Sequence, residues 1–163
     1  LSPPNPHYTM KEVERKIHMI LKEQKGDLFD LPSDYALVHC ISEDCAMGAG
    51  IAVEFERRFR LRPMLKEFMR VKPGHYPRVI WTNANRRLIF NMITKGKYWH
   101  KPTCENFEAA LKELAELCRQ LKVRKLGMPR IGCGLDHLKW NWVKQKIEET
   151  FADLDIEIQV RYL

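Results

Sequence analysis

Tyr35-Ala36-Leu37-Val38-His39-Cys40-Ile41 is a near-continuous apolar run, closed by Pro32-Ser33-Asp34 on one side and Ser42-Glu43-Asp44 on the other. A strand that is apolar without alternation is covered on both faces, the mark of a central strand in an α/β sheet. The next residues strengthen the reading. Met47-Gly48-Ala49-Gly50 is a glycine-bearing turn, and it opens into a helical pattern, Ile51-Ala52-Val53-Glu54-Phe55, with Phe59 continuing the apolar face. Strand, turn and helix in that order are the unit from which layered α/β domains are built.

Working outward, Lys16-Ile17-His18-Met19-Ile20-Leu21 can form a strand that Gly26-Asp27 breaks. Residues 1–14 read as a flexible, Pro-rich lead-in with a short helix over Lys11–Glu14 as an option, and residues 15–163 as a single domain. A second short helix is expected over Leu65–Val71. Arg78–Thr82 and Leu88–Ile93 flank Asn83-Ala84-Asn85-Arg86-Arg87 and predict a β-hairpin. The spacing of Phe107, Ala110, Leu111, Leu114 and Leu117 predicts a long amphipathic helix over Thr103–Leu121. Leu126-Gly127-Met128 reads as a short buried strand, Trp140–Phe151 as a helix and Ile156–Val160 as a closing strand. The implied architecture is α/β, with helices on both faces of a mixed sheet. In such sheets ligands bind beyond the C-terminal strand ends, so the loops after Ile41, Ile93 and Met128 are the places to search.

Composition agrees. The 163 residues are 45% apolar and 30% charged, which suits one domain with one sizeable core. No apolar run approaches the roughly 18 to 20 residues of a membrane helix. The start, Leu1-Ser2-Pro3-Pro4-Asn5-Pro6, lacks the basic and apolar regions of a secretory signal. Five Cys without a C-x-x-C pair argue against a disulfide framework or zinc ribbon, and for a reducing compartment. The net charge of +7 favours phosphate-bearing partners, with contact to RNA or DNA as one option and simple solubility as the other.

Each of the three loops carries chemistry. Gly48 and Gly50 either shape a turn or let backbone N–H groups meet an anion at a helix N-terminus. No third glycine or G-K-[ST] makes this a dinucleotide or Walker loop. Met128-Pro129-Arg130-Ile131-Gly132-Cys133-Gly134-Leu135-Asp136 repeats the G-x-G pattern after another strand, and two such loops could grip a diphosphate. Arg130 could bind phosphate or be solvated. Asp136 could cap the following helix or act as a general acid or base. Lys95 ends a strand in Asn91-Met92-Ile93-Thr94-Lys95-Gly96-Lys97. Acting as a nucleophile requires it neutral, so burial or nearby cations (Lys97, Lys101 and Arg130 are the candidates) must oppose its charge. Asp27 could accept from a purine amino group or close an Asx-turn. His39 reads as a core histidine, and Cys40, Cys45 and Cys133 as small core or loop residues. Arg57–Arg62 reads as a solvated helix end, and Trp140 and Trp142 as packing residues.

Taken together, Gly26-Asp27-Leu28-Phe29, His39–Cys45 with Met47–Ala52, Ile93-Thr94-Lys95, His100-Lys101-Pro102-Thr103 and Met128–Asp136 resemble the macrodomain family. More narrowly they resemble its branch of lysine-dependent ADP-ribosyl hydrolases. The resemblance runs from about Ile17 to Leu163. It implies a three-layer α/β/α macrodomain with a mixed central sheet and ADP-ribose across the strand ends. It implies that Asp27 binds the adenine amino group and Leu28 the ring through its backbone. Gly48, Ala49, Gly50, Ile51 and Ala52, with Arg130, Ile131, Gly132, Cys133, Gly134 and Leu135, would hold the diphosphate. Ser42 and Thr94 would lie near the ligand and Leu163 near the adenosine. Lys95 would attack C1 of the distal ribose, and Asp136 would serve as acid and base. The implied activity is release of ADP-ribose from Asp/Glu-linked protein esters and deacetylation of O-acetyl-ADP-ribose, in the reversal of ADP-ribosylation and the DNA damage response. No metal or cofactor is implied. A monomer in the nucleus or cytoplasm, partnered by ADP-ribose and ADP-ribosylated proteins, is the expectation. The alternatives are a non-catalytic ADP-ribose reader and a hydrolase of ADP-ribosylated nucleic acid. Other branches carry Asn-Ala-Asn in the first loop. Here His39-Cys40-Ile41-Ser42 stands there, and Asn83-Ala84-Asn85 falls in the hairpin turn.

Overall fold

The computed structural model describes residues 18–163. The expected lead-in and the optional helix over Lys11–Glu14 lie outside the described residues. In chain order the elements are β1 (Ile20–Lys25), a 3-10 turn (Leu28–Asp30), β2 (Ala36–Ser42), α1 (Ile51–Phe59), α2 (Leu61–Val71), β3 (Arg78–Ala84), β4 (Arg87–Lys95), α3 (Cys104–Gln120), β5 (Lys125–Met128), α4 (Trp140–Phe151) and β6 (Glu157–Tyr162).

The sheet order is β1-β6-β5-β2-β4-β3. Every neighbouring pair is parallel except β3 with β4, which is antiparallel. Successive strand residues face opposite sides, and the apolar run of β2 sorts accordingly. Leu37 and Ile41 join Ile89 and Ile93 of β4 under Phe55, Leu61 and Leu65 of α1 and α2. Ala36 and Val38 join Phe90 and Met92 under Phe107, Leu111, Val143 and Ile147 of α3 and α4. Two apolar faces thus require two helical layers, the α/β/α arrangement expected from sequence.

Three boundaries move most. The first strand, expected over Lys16–Leu21, runs instead over Ile20–Lys25, where it pairs with β6. The helix expected over Leu65–Val71 begins at Leu61, because Arg60 in the left-handed region ends α1 and starts α2 at once. The Glu56 carboxylate accepts from the Arg62 N–H at 2.8 Å, and Leu61 and Leu65 both reach the core. The hairpin turn shrinks to Asn85-Arg86, with φ of 49° and 62°, and both strands lengthen to meet it. A two-residue turn of this hand matches strand twist. It puts Asn83-Ala84-Asn85 at the edge opposite the end of β4.

His39 is buried, as expected of a core residue. Its ring stacks on Phe55 at 3.9 Å, and its Nε2 lies 2.7 Å from Asn91 Oδ1. Asn91 in turn donates to the Ile80 carbonyl at 2.9 Å, so its oxygen faces the histidine, which donates. Burial, only partly offset by Asn91, pushes the His39 pKa down from 6.5 to about 4. The unfolded chain therefore binds this proton first, so the stabilisation is complete above about pH 6.5 and lost as pH falls towards 4. The effect amounts to about 3 kcal/mol at most. Urea unfolding between pH 7 and 4.5 is expected to show the wild type losing more stability than His39→Gln, by that order.

Candidate active site

The five parallel strands end at one edge, and the loops leaving β2, β4 and β5 gather there around a cavity of about 450 Å³. At Ile41/Ser42 the β2–β4 register shifts, so Ser42 pairs with Lys95 and Thr94 is passed over. Such irregularities re-aim a side chain at a strand end. Lys95 here points at the loop after β5, where its Nζ lies 2.6 Å from Asp136 Oδ1. The two side chains are only 11% and 12% exposed. A pair this sheltered is held by mutual compensation, since removing either charge leaves the other uncompensated away from water.

Backbone N–H groups form the opposite wall. Gly50 begins α1 with no side-chain cap, and among the described residues the N–H groups of Ile51, Ala52, Gly134 and Leu135 meet no protein acceptor. All four residues line the cavity. Free donors at a helix start and in a tight loop form a cradle for anions. Gly132 shapes the second loop at φ +75°, where a Cβ would come within 2.9 Å of Leu138 and 3.0 Å of Phe107. Only glycine meets both demands.

Of the expected site residues, Ser42, Gly48, Ala49, Gly50, Ile51, Ala52, Lys95, Arg130, Ile131, Gly132, Gly134, Leu135 and Asp136 line this one cavity. Asp136 is not the helix cap that one reading allowed, because α4 begins at Trp140 after Lys139. Arg130 is not simply solvated. It lies over the Tyr162 ring at 4.0 Å and within 3.5 Å of the Glu23 carboxylate. Of the cations expected to surround Lys95, Lys101 donates to the Leu135 carbonyl, Arg130 is braced as above, and Lys97 acts on the Asp44 carboxylate. The partner of Lys95 is a carboxylate instead.

The remaining five stand outside the lining. Asp27 accepts from the Phe29 N–H at 2.9 Å and so makes the Asx-type turn, at the end of β1. Leu28 is buried in the core, and Leu163 is exposed beyond β6. Thr94 is buried in β4, and its hydroxyl finds no partner among the described residues. Cys133 is not among the residues that line the cavity, whereas Cys40 is, and the Cys133 thiol lies 3.4 Å from the Ile131 carbonyl. Burial pushes the Cys40 thiol far above its ordinary range and Cys133 to about 11, so neither supplies a thiolate. No cluster of His, Cys, Asp or Glu among the described residues could hold a metal.

No family model matches the sequence. Solved structures and characterised proteins do. The macrodomain of Thermus aquaticus DarG matches with a TM-score of 0.79 at 29% identity, over 89% of this chain and 99% of that one. Human ADP-ribose glycohydrolase OARD1 is 45% identical over 137 residues, which is 83% of this chain and 87% of its own. The chain belongs to the OARD1 family of macrodomains. The DNA ADP-ribosyl glycohydrolase of Thermus aquaticus is also similar, 34% identical over 149 residues, covering 86% of this chain and 41% of that protein.

Three residues of this macrodomain site escaped the sequence reading. Asp44 was legible only as part of a turn, yet its carboxylate accepts from the Ser42 hydroxyl, the Ala46 N–H at 3.2 Å and the Tyr98 N–H at 3.1 Å. Burial raises its pKa, but those hydrogen bonds and Lys97 outweigh that and hold it below the usual value. Arg62 donates to the Cys45 carbonyl at 2.9 Å and ties α2 to the same loop, rather than being a solvated helix end. Tyr98 forms part of the cavity wall. The contacts from Tyr98 to Asp44 and from Arg62 to Cys45 cross between segments, so no local spacing announces them. Asp44→Ala is expected to cost about 1–3 kcal/mol by leaving several donors unpaired, as read from urea unfolding at pH 7.

Proposed function

We propose that this macrodomain is an ADP-ribosyl hydrolase that uses Lys95 as nucleophile and Asp136 as acid and base. Its substrates are aspartyl and glutamyl protein esters and O-acetyl-ADP-ribose. The observation that carries the reading is the 2.6 Å Lys95–Asp136 contact at the reacting end of a cleft with free N–H donors. The names of the relatives, ADP-ribose glycohydrolase and DNA ADP-ribosyl glycohydrolase, support cleavage at ADP-ribose.

The ligand lies across the strand ends. From β1 to β4 the sheet order counts four strand steps, a span of about 19 Å at roughly 4.8 Å per step. Adenosine sits at the Asp27 end, the diphosphate on the N–H groups of the two glycine loops, and the distal ribose at Lys95. Asp136 takes a proton from Lys95, and the neutral amine attacks C1. The C1–O bond to the ester breaks, and its electron pair leaves with the carboxylate. The adduct nitrogen gives up one proton to water, and its lone pair opens the ring to an imine as Asp136 passes its own proton to the ring oxygen. Water then adds to C1 with Asp136 taking its proton, Lys95 is released, and ADP-ribose leaves. The pre-formed contact supplies both proton acceptor and proton donor, so this sequence of steps runs without a metal ion.

With an ester-linked ADP-ribosylated protein as substrate, Lys95→Ala is expected to abolish release of ADP-ribose. Asp136→Asn is expected to slow it on the order of 10²–10⁴-fold. Borohydride added during turnover should leave a reduced ribosyl adduct on Lys95, read by peptide mass spectrometry. Full activity of Lys95→Ala rejects the nucleophile. Tight calorimetric binding of ADP-ribose with no release from any ester would make the protein a reader. Asp27→Ala is expected to weaken that binding roughly tenfold by losing one charged hydrogen bond.

A further inference from the structure

Asp136 stands on a segment that its own loop holds loosely. A Cβ on Gly134 would meet nothing within 4 Å, and Leu135 is 58% exposed. His137, the next residue along, takes a left-handed φ of 60°, a conformation that a residue with a Cβ adopts only at a cost. Within the loop, the His137 N–H donates to the Gly134 carbonyl at 3.1 Å and the Leu138 N–H to the Gly132 carbonyl at 2.8 Å. Among the described residues, the hydrogen bonds that reach residues 134–136 from elsewhere in the chain come from two lysines. Lys95 meets the Asp136 carboxylate at 2.6 Å, and Lys101 donates to the Leu135 carbonyl.

The Lys101 end of that second contact is firmly seated. Pro102 is buried, and Thr103 caps α3, its hydroxyl accepting from the Asn106 N–H at 3.0 Å. Lys101 therefore projects from a backbone fixed at the start of a helix that is packed into the core. Its side chain is exposed, and holding a long exposed lysine in one posture costs rotamer entropy. Lys101 is not among the residues that line the cavity, so what it grips is the loop and not the space for a ligand. The carbonyl of Leu135 and the N–H of Asp136 belong to one planar peptide unit. Fixing the oxygen of that plane fixes the direction in which the chain enters Asp136. We infer that Lys101 is a positioning residue for the hydrolysis, which holds the Leu135–Asp136 peptide so that the Asp136 carboxylate is aimed at Lys95.

The inference rests on the hydrolase reading above and leaves its chemical steps unchanged. Lys101 exchanges no proton with the substrate. It acts through the Leu135 carbonyl alone.

Lys101→Met keeps the length of the side chain and removes the ammonium. On O-acetyl-ADP-ribose its kcat is expected to fall about ten- to a hundredfold, the scale of one charged hydrogen bond. The Kd for ADP-ribose, read by calorimetry, should stay close to that of the wild type, and Lys101→Arg should restore most of the rate. In the Asp136→Asn background Lys101→Met should cost little more, because the two residues act as one unit. A measurement without turnover accompanies these. Nitrogen–proton NMR detects the Lys95 ammonium while a carboxylate shelters its protons from exchange, and that signal should vanish in Lys101→Met and persist in Lys101→Arg. An unchanged kcat in Lys101→Met overturns the inference. So does a further loss of the same size in the Asp136→Asn background, or a weakened Kd with kcat kept, either of which makes Lys101 a contact to the ligand. A urea midpoint that falls together with kcat also overturns it, by making Lys101 part of the fold. A wild type that releases nothing from any ester, with a Lys95 signal that still depends on Lys101, rejects the hydrolase reading and leaves the positioning standing. Turnover with a signal indifferent to Lys101 does the reverse.

Discussion

Leu37 of β2 lies opposite Ile89 of β4 on one side and Gly127 of β5 on the other. That doubly parallel pairing is the constraint from which the site follows. Parallel strands deliver their following loops to the same edge, so the turns after Ser42, Lys95 and Met128 have to share one space. The close approach of β5 is itself a packing result. A Cβ on Gly127 would fall 2.5 Å from Leu31 and 2.9 Å from Leu37, so the core beneath the cleft is filled up to the backbone. With the helical layers clamped on both faces, the strand ends have little freedom, and a 2.6 Å contact between residues 41 positions apart becomes a fixed feature.

Charge within the cleft is apportioned with the same economy. Lys95 faces Asp136, Arg130 leans on Tyr162 and reaches Glu23, and Lys101 is spent on a backbone carbonyl. What remains free to meet an anion is mostly backbone, at the start of α1 and in the loop after β5. Fixed N–H donors need no reorganisation to receive a phosphate, whereas flexible cations do. The long-range field of the basic chain can still raise encounter rates with phosphate-bearing partners.

Much of the fold was readable because it is written in short-range patterns. The unbroken apolar run of β2, the spacing along α3 and the helix over Trp140–Phe151 are local records of which faces are covered. Boundaries that depend on partners were harder. The start of α2 rests on Arg60 adopting a left-handed conformation and on Glu56 reaching the Arg62 N–H, neither of which leaves a periodic trace. Asp44 shows the same limit within the site, since its importance lies in whom it meets. Asp27 shows the converse, a residue whose local turn-forming role is plain in the structure.

Composition and pattern by themselves determined a layered α/β domain, two glycine loops and a strand-ending lysine on the loops that matter. Those properties follow from covered faces and from backbone stereochemistry, which adjacent residues dictate. The tertiary structure alone decided that Lys95 faces a carboxylate rather than a group of cations, and that Arg130 is braced rather than free. It also decided that Tyr98 and Trp99 stay in solvent at the rim. The first depends on a one-residue shift at the end of β2 and the second on β1 and β6 lying beside β5, and such long-range geometry is set by the packing of the whole sheet.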